Sequence, residues 1–221
     1  MKVSIDVVSD VICPWCFLGK RRLDKALAAL DGLEVEVAWR PFMLDPTIPK
    51  EGKSRHDYMV LKFGEERLKT IHDPLIAAGK EDGVPYRFEA ITRTPNTLDA
   101  HRVMRWAHVA GKQHDLAERL FMAYWNEGKD VGDREVLASE AAAAGLDGAR
   151  IATGLATDLD AEKVMGEIAM AGRMGVTGVP TFILGRKYGV VGAQSAEVIA
   201  DAIRKVAVEG MATPPASPAS A

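Results

Sequence analysis

Lys2-Val3-Ser4-Ile5-Asp6-Val7-Val8, then Cys13-Pro14-Trp15-Cys16, then Phe17 through Leu30: the reading of this run decides the fold. Its first segment is short and rich in β-branched residues, which is the pattern of a strand. In its last segment Leu18, Leu23, Leu27 and Leu30 recur near helical spacing, with Lys20, Arg21, Arg22 and Lys25 between them. The cysteine motif therefore sits where a strand turns into a helix, and Pro14 suits the first helical turn. A helix N-terminus offers free N–H groups and the positive end of the helix dipole, so it favours a thiolate at Cys13. Cys13, the outer residue, is then the expected nucleophile. Cys16, one turn in and more covered, is expected to resolve a mixed disulfide.

Cys13 and Cys16 are the only cysteines among the 221 residues. A structural zinc site needs about four ligands. None of His56, His72, His101, His108 and His114 forms a suitably spaced pair beside the motif, so no metal is expected. A structural crosslink is a poor reading as well, because so short a loop restrains little chain entropy. The pair reads as a redox dithiol.

Composition narrows the classes further. A hydrophobic share of 48% supports a packed core, and 27% charged residues suit a soluble surface. The net charge of −3 argues against a nucleic-acid partner, which would want a basic face. Asp6 and Asp10 interrupt what a secretory signal would need as an apolar core. No apolar run approaches the roughly 18 residues of a membrane span. The expectation is a cytoplasmic protein with no membrane contact, in a compartment where a two-cysteine disulfide is usually catalytic or sensing.

Beyond Gly32, Leu33-Glu34-Val35-Glu36-Val37-Ala38-Trp39 alternates apolar with charged residues, as a half-buried strand does. Strand, helix and strand make a βαβ unit with parallel strands. Pro41, Pro46 and Pro49 then take the chain out of the sheet. From Ser54 to about Gly172 the pattern is helical. Asp57–Ala78 is broken by Gly64 and Pro74. Asn96 or Thr97 caps a helix over Leu98–Ala110. Leu116, Leu120, Phe121, Tyr124 and Trp125 form the stripe of the next helix, Asp133 caps a third, and another begins near Asp160. Gly175–Pro180 reads as a loop, and Thr181–Leu184 with Tyr188–Val191 as a hairpin turning at Gly185-Arg186. A last amphipathic helix carries Ala196, Ile199, Ile203 and Val206, and the Pro, Ala and Ser of 211–221 read as a disordered tail.

This order resembles the thioredoxin fold with a large all-helical insertion, an α/β layout similar to that of the DsbA family. The matching motifs are strand–Cys13-Pro14-Trp15-Cys16–helix and Gly178-Val179-Pro180-Thr181-Phe182. Trp39-Arg40-Pro41-Phe42, Asn96-Thr97 with Ala100-His101-Arg102, and Gly192-Ala193-Gln194 resemble more narrowly the cytoplasmic FrnE-type branch. The resemblance implies a thioredoxin-like unit over 1–48 and 174–210 and a helical insertion over 49–173. It implies a dithiol–disulfide oxidase or isomerase in which Cys13 attacks and Cys16 resolves. Pro14, Trp15, Val179 and Pro180 would meet the substrate, with a cis bond before Pro180 leaving the Val179 backbone to pair with an extended segment. Partners would be protein or small-molecule thiols and disulfides, glutathione among them as a co-substrate. No cofactor is expected beyond the cysteine pair, and no oligomeric state follows.

Three residues are weighed as cleft-lining: Asn96, His101 and Gln194. For Asn96 the competing role is a helix cap, and for His101 a helix-face imidazole bonded locally. Several thioredoxin-like enzymes keep a buried acid in the first strand, on the face directed at the cysteines; here Asp6 lies in that strand, while Asp10 stands three residues before Cys13 and would oppose a thiolate there. The same architecture occurs in 2-hydroxychromene-2-carboxylate isomerases and kappa-type glutathione transferases, which use a serine at the nucleophile position. Cys13 and a resolving Cys16 favour disulfide exchange over that class. A non-catalytic binding or chaperone module would leave the motif without a role.

Overall fold

Strand β1 (Lys2–Ser9) is the axis of the fold. It pairs in parallel with β2 (Glu34–Pro41), Val7 opposite Trp39, across the intervening helix α1 (Pro14–Ala28). On its other side it pairs antiparallel with β5 (Thr181–Leu184), Val7 opposite Phe182 and Val8 opposite Thr181, and β5 pairs with β6 (Tyr188–Val191). The sheet order is β2-β1-β5-β6. This is an α/β thioredoxin fold with a mixed parallel and antiparallel sheet and a helical insertion, as the resemblance implied. The computed structural model describes residues 2–212.

Between β2 and β5 the chain forms a two-stranded ribbon of β3 (Lys53–Ser54) and β4 (Arg93–Thr94) and a helical block. The helices are α2 (Arg55–Phe63), α3 (Glu65–Leu68), α4 (Asp73–Asp82), α5 (Leu98–Val109), α6 (Gln113–Trp125), α7 (Arg134–Ala143), α8 (Gly148–Leu155) and α9 (Ala161–Arg173). After β6, α10 (Ala196–Ala212) packs on α1. It therefore carries Met211 and Ala212 in helix, past the expected start of the tail at 211; the rest of that tail lies outside the described residues.

Local chemistry accounts for the boundaries. The Asp133 carboxylate accepts from the N–H groups of Glu135 and Val136 and starts α7, and Asp147 does the same for α8 through Arg150. Pro41 is the last residue of β2, an edge strand, where its missing N–H breaks no ladder. The edge groups of Trp39 in β2 are met from the helical block. Buried Gln113 accepts from Trp39 N–H at 2.8 Å and donates to Trp39 C=O at 3.0 Å. Core residues of the sheet, such as Ile5 and Phe182, and of the helices, such as Leu116, Leu120 and Phe121, belong to one contiguous apolar cluster that also contains both cysteines. Among the described residues, no helix is long and apolar enough to cross a membrane.

Candidate active site

The register of β1 with β5 builds the site. Because Val8 faces Thr181, the residues just after β1 and just before β5 emerge at the same end of the sheet. Asp10 to Cys13 turns there into α1, with Cys13 N–H donating to Asp10 C=O at 3.0 Å. Cys13 is the N-cap of α1, in extended conformation, and Pro14 occupies the first turn. Cys16 N–H closes that turn on Cys13 C=O at 3.0 Å. Facing it, the Val179–Pro180 peptide bond is cis, and the Cys13 thiol donates to Val179 C=O at 3.7 Å. The two sequence motifs, 166 residues apart, thus meet sulfur to carbonyl.

Both thiols are free and buried, Cys13 at 3% exposure and Cys16 at 1%. The outer position expected of Cys13 is therefore marginal, since both residues lie within the same buried cluster. Burial pushes the Cys16 thiol well above its ordinary range, and the adjacent Cys13 sulfur adds to this. The Ser9 hydroxyl and the Asp10 backbone N–H pull the other way. Trp15 turns outward, 41% exposed, while the Pro14 carbonyl accepts from the Tyr86 hydroxyl at 2.6 Å. Burial, and then the two sulfurs, push the Tyr86 phenol up, so it stays a hydrogen-bond donor.

Residues 4–204 match the family model described as the DSBA-like thioredoxin domain. The chain belongs to that family. Over 207 residues it is 30% identical to the uncharacterized protein YwbO of Bacillus subtilis (strain 168), covering 92% of this chain and 96% of that one. The crystal structure of the probable DsbA oxidoreductase SCO1869 from Streptomyces coelicolor superposes with a TM-score of 0.87 at 33% identity, over 99% of this chain and 94% of that one. A 2-hydroxychromene-2-carboxylate isomerase gives a TM-score of 0.70 at 19% identity, over 95% and 98%. The cytosolic disulfide reductase DsbM from Pseudomonas aeruginosa, solved with GSH, gives 0.59 at 20% identity, over 95% and 100%. The last two are likenesses of fold.

Within this DSBA-like domain the other candidates take different places. Asp6 faces away from the cysteines and pairs with Arg40 at 2.6 Å. Asp10 is the buried acid, at 0% exposure; its carboxylate accepts from Leu44 N–H at 2.8 Å and Ile12 N–H at 3.5 Å. His101, on α5, is buried beside it: Nε2 lies 2.8 Å from Phe42 C=O and 3.6 Å from Asp10 Oδ1. Asn96 braces the entry to α5, donating to Ile48 C=O and accepting from Leu98 N–H. Gln194 folds back on its own loop, onto Val191 C=O. No group of His, Cys, Asp and Glu suited to a metal ion occurs among the described residues. Tyr86 and Ser9 are the site residues that sequence reasoning missed. Tyr86 reaches the motif from the far side of α4 and carries no local pattern. Ser9 had one available signal, its place at the end of the strand that leads into the motif.

Proposed function

We propose that the protein is a thiol–disulfide oxidoreductase of the FrnE-type branch, working in the cytoplasm on protein or small-molecule thiols and disulfides, with glutathione as a co-substrate. The observation that carries this reading is the placement of Cys13 at the N-terminus of α1, its thiol against Val179 C=O, with Cys16 one turn deeper. In the reducing direction the Cys13 thiolate attacks a substrate disulfide and one substrate thiolate leaves. Cys16 then attacks the Cys13 sulfur, the second substrate thiolate leaves, and two electrons have passed from the pair to the substrate. Oxidation is the reverse. The exposed Trp15 and the Val179–Pro180 backbone supply the substrate contacts beside Cys13, with Pro14 setting the turn. The two sulfurs supply all the redox chemistry, so the reading calls for no cofactor and no metal.

A redox titration of the Cys13–Cys16 pair against glutathione tests this. One reversible two-electron transition is expected, and its absence overturns the reading. A second reading has support from the likeness to 2-hydroxychromene-2-carboxylate isomerase: a glutathione-dependent isomerase or kappa-type transferase. That chemistry does not require Cys16. Undiminished turnover of a glutathione adduct by Cys16→Ser, without mixed-disulfide trapping, would favour it.

A further inference from the structure

Disulfide exchange requires the Cys16 thiol to lose its proton, and Cys16 is only 1% exposed. Its thiol is hydrogen-bonded to the hydroxyl of Ser9, itself only 5% exposed. Ser9 also lines a cavity of about 40 Å³ enclosed by the ends of β1 and β2 and by α5, α6 and α9. A water needs about 10–15 Å³ of such space and two to four polar partners, so this cavity has room for about three or four. Its inner wall includes His101 and Gln113, and its outer wall includes Arg40 and the exposed His108.

His101 is set up to accept a proton into that space. The Phe42 carbonyl can only accept, so Nε2 carries a hydrogen and donates it, at 2.8 Å. Nδ1 is then the ring nitrogen left with a lone pair to accept a hydrogen bond. The Asp10 carboxylate, 3.6 Å from Nε2, balances the cation formed when the ring takes up a proton. The other charged groups lining the same cavity are Arg40 from β2, Arg105 from α5 and Glu167 from α9, the last two paired to each other.

We propose that Ser9, this cavity and His101 form the route by which the Cys16 thiol is deprotonated as it closes on the Cys13–substrate disulfide. The proton passes from Cys16 Sγ by way of the Ser9 hydroxyl and cavity water to His101 Nδ1, and from there to solvent at the His108 end. The electron pair left on Cys16 Sγ forms the Cys13–Cys16 bond, the Cys13–substrate bond breaks, and the departing thiolate takes a proton from solvent. In the oxidising direction the same route returns a proton to Cys16. His101 and Ser9 are positioning and relay residues; neither touches substrate.

The inference rests on the proposed function, and one experiment separates the two. The reduced protein is mixed with glutathione disulfide and acid-quenched, and mass spectrometry follows the Cys13–glutathione adduct as it forms and resolves. His101→Gln, which keeps a donor for Phe42 C=O but has no basic nitrogen, and Ser9→Ala are compared with the parent across pH. Adduct formation should stay within about twofold. Resolution should slow about a hundredfold or more near neutrality, the range for lost general acid–base assistance, and recover toward the parent rate at alkaline pH, where hydroxide takes the proton. Slowing that is equal at all pH values, or no slowing, overturns the proposal. If His101→Gln does not fold, the pH profile of Ser9→Ala decides alone. An absence of any adduct in the parent would instead defeat the oxidoreductase reading itself.

Discussion

Helix α5 buries two neighbouring basic side chains, His101 and Arg102, and surrounds them in opposite ways. Arg102, 1% exposed, points into the helical block, where every branch of its guanidinium is used. It meets Asp99 at 2.6 Å and the carbonyls of Thr157, Leu159 and Gly154 at 2.7, 2.8 and 2.9 Å. His101, one residue earlier, points at the end of the sheet, with one short bond to Phe42 C=O and a carboxylate at 3.6 Å. A buried charge with four of its five N–H donors engaged holds structure. A buried imidazole on the wall of a cavity is placed for the proton route proposed above. The helical block supplies rigidity, and the end of the sheet supplies chemistry.

The largest effect should fall on the chemistry alone. Cys13→Ser is expected to reduce disulfide exchange to background in an insulin turbidity assay, while Cys16→Ser accumulates mixed disulfides because the resolving thiol is gone. Neither should shift the unfolding midpoint much, since a serine nearly fills the space. Equal trapping by both variants would show that the roles of the two sulfurs are misassigned.

Arg102→Met should do the reverse. It strands the Thr157 and Leu159 carbonyls and leaves Asp99 with Arg134 alone, at 3.4 Å, and removing one partner of a buried ion pair costs about 3–5 kcal/mol. Urea unfolding should show that loss, while alkylation of Cys13 by a small reagent in the folded protein keeps its parent rate. A matching fall in Cys13 reactivity would show that the two regions are coupled more tightly than the comparison allows.

Gly19 tests the seam between α1 and the loop before β5. Alanine would ordinarily favour a helix interior by up to about 1 kcal/mol. Here a Cβ would come within 2.8 Å of Pro180 Cγ and 3.3 Å of Phe182 Cζ, and neither ring can swing aside. Overpacking of this kind costs about 1–3 kcal/mol, so packing outweighs propensity. Gly19→Ala should lower the melting temperature and slow protein-disulfide exchange together. A stabilised variant with full activity would show that Pro180 can yield.

What the letters carried and what they hid follows from the range of the interactions. The strand–CxxC–helix start, the parallel β2 and the helix boundaries at Asp133 and Asn96-Thr97 are local, because periodicity and caps act within a few residues. The two-residue strands β3 and β4 have no period to detect, and α8 is too short to stand out between Gly145 and Asp160. The choice between Asp6 and Asp10 could not be made along the chain. It depends on Arg40 lying across from Asp6 on β2, and on Leu44 and His101 closing over Asp10. Tyr86 on Pro14 C=O and Ser9 at Cys16 are likewise products of tertiary packing.

The smallest effect lies where the two regions are tied by charge. Asp82, at the end of α4, receives Arg22 Nε and Lys25 Nζ from α1, each at 2.7 Å, and Arg22 also donates to Ala193 C=O at 2.6 Å. Burial alone would raise the Asp82 carboxyl, but Lys25 and Arg22 outweigh it and hold the group below the usual carboxylate range. A carboxylate whose folded value is depressed stabilises the fold above its unfolded value, near 3.9. That stability is lost as pH falls through the folded value. Asp82→Asn should therefore cost about 0.5–1 kcal/mol near neutrality, since Lys25 is 49% exposed and solvent screens its share. Urea midpoints of parent and variant should differ near neutral pH, approach each other as the pH drops below about 4, and differ less in high salt. A difference that persisted unchanged into acid would mean that Asp82 acts through its shape and hydrogen bonds, leaving the seam between sheet and helices without a charge contribution from this carboxylate.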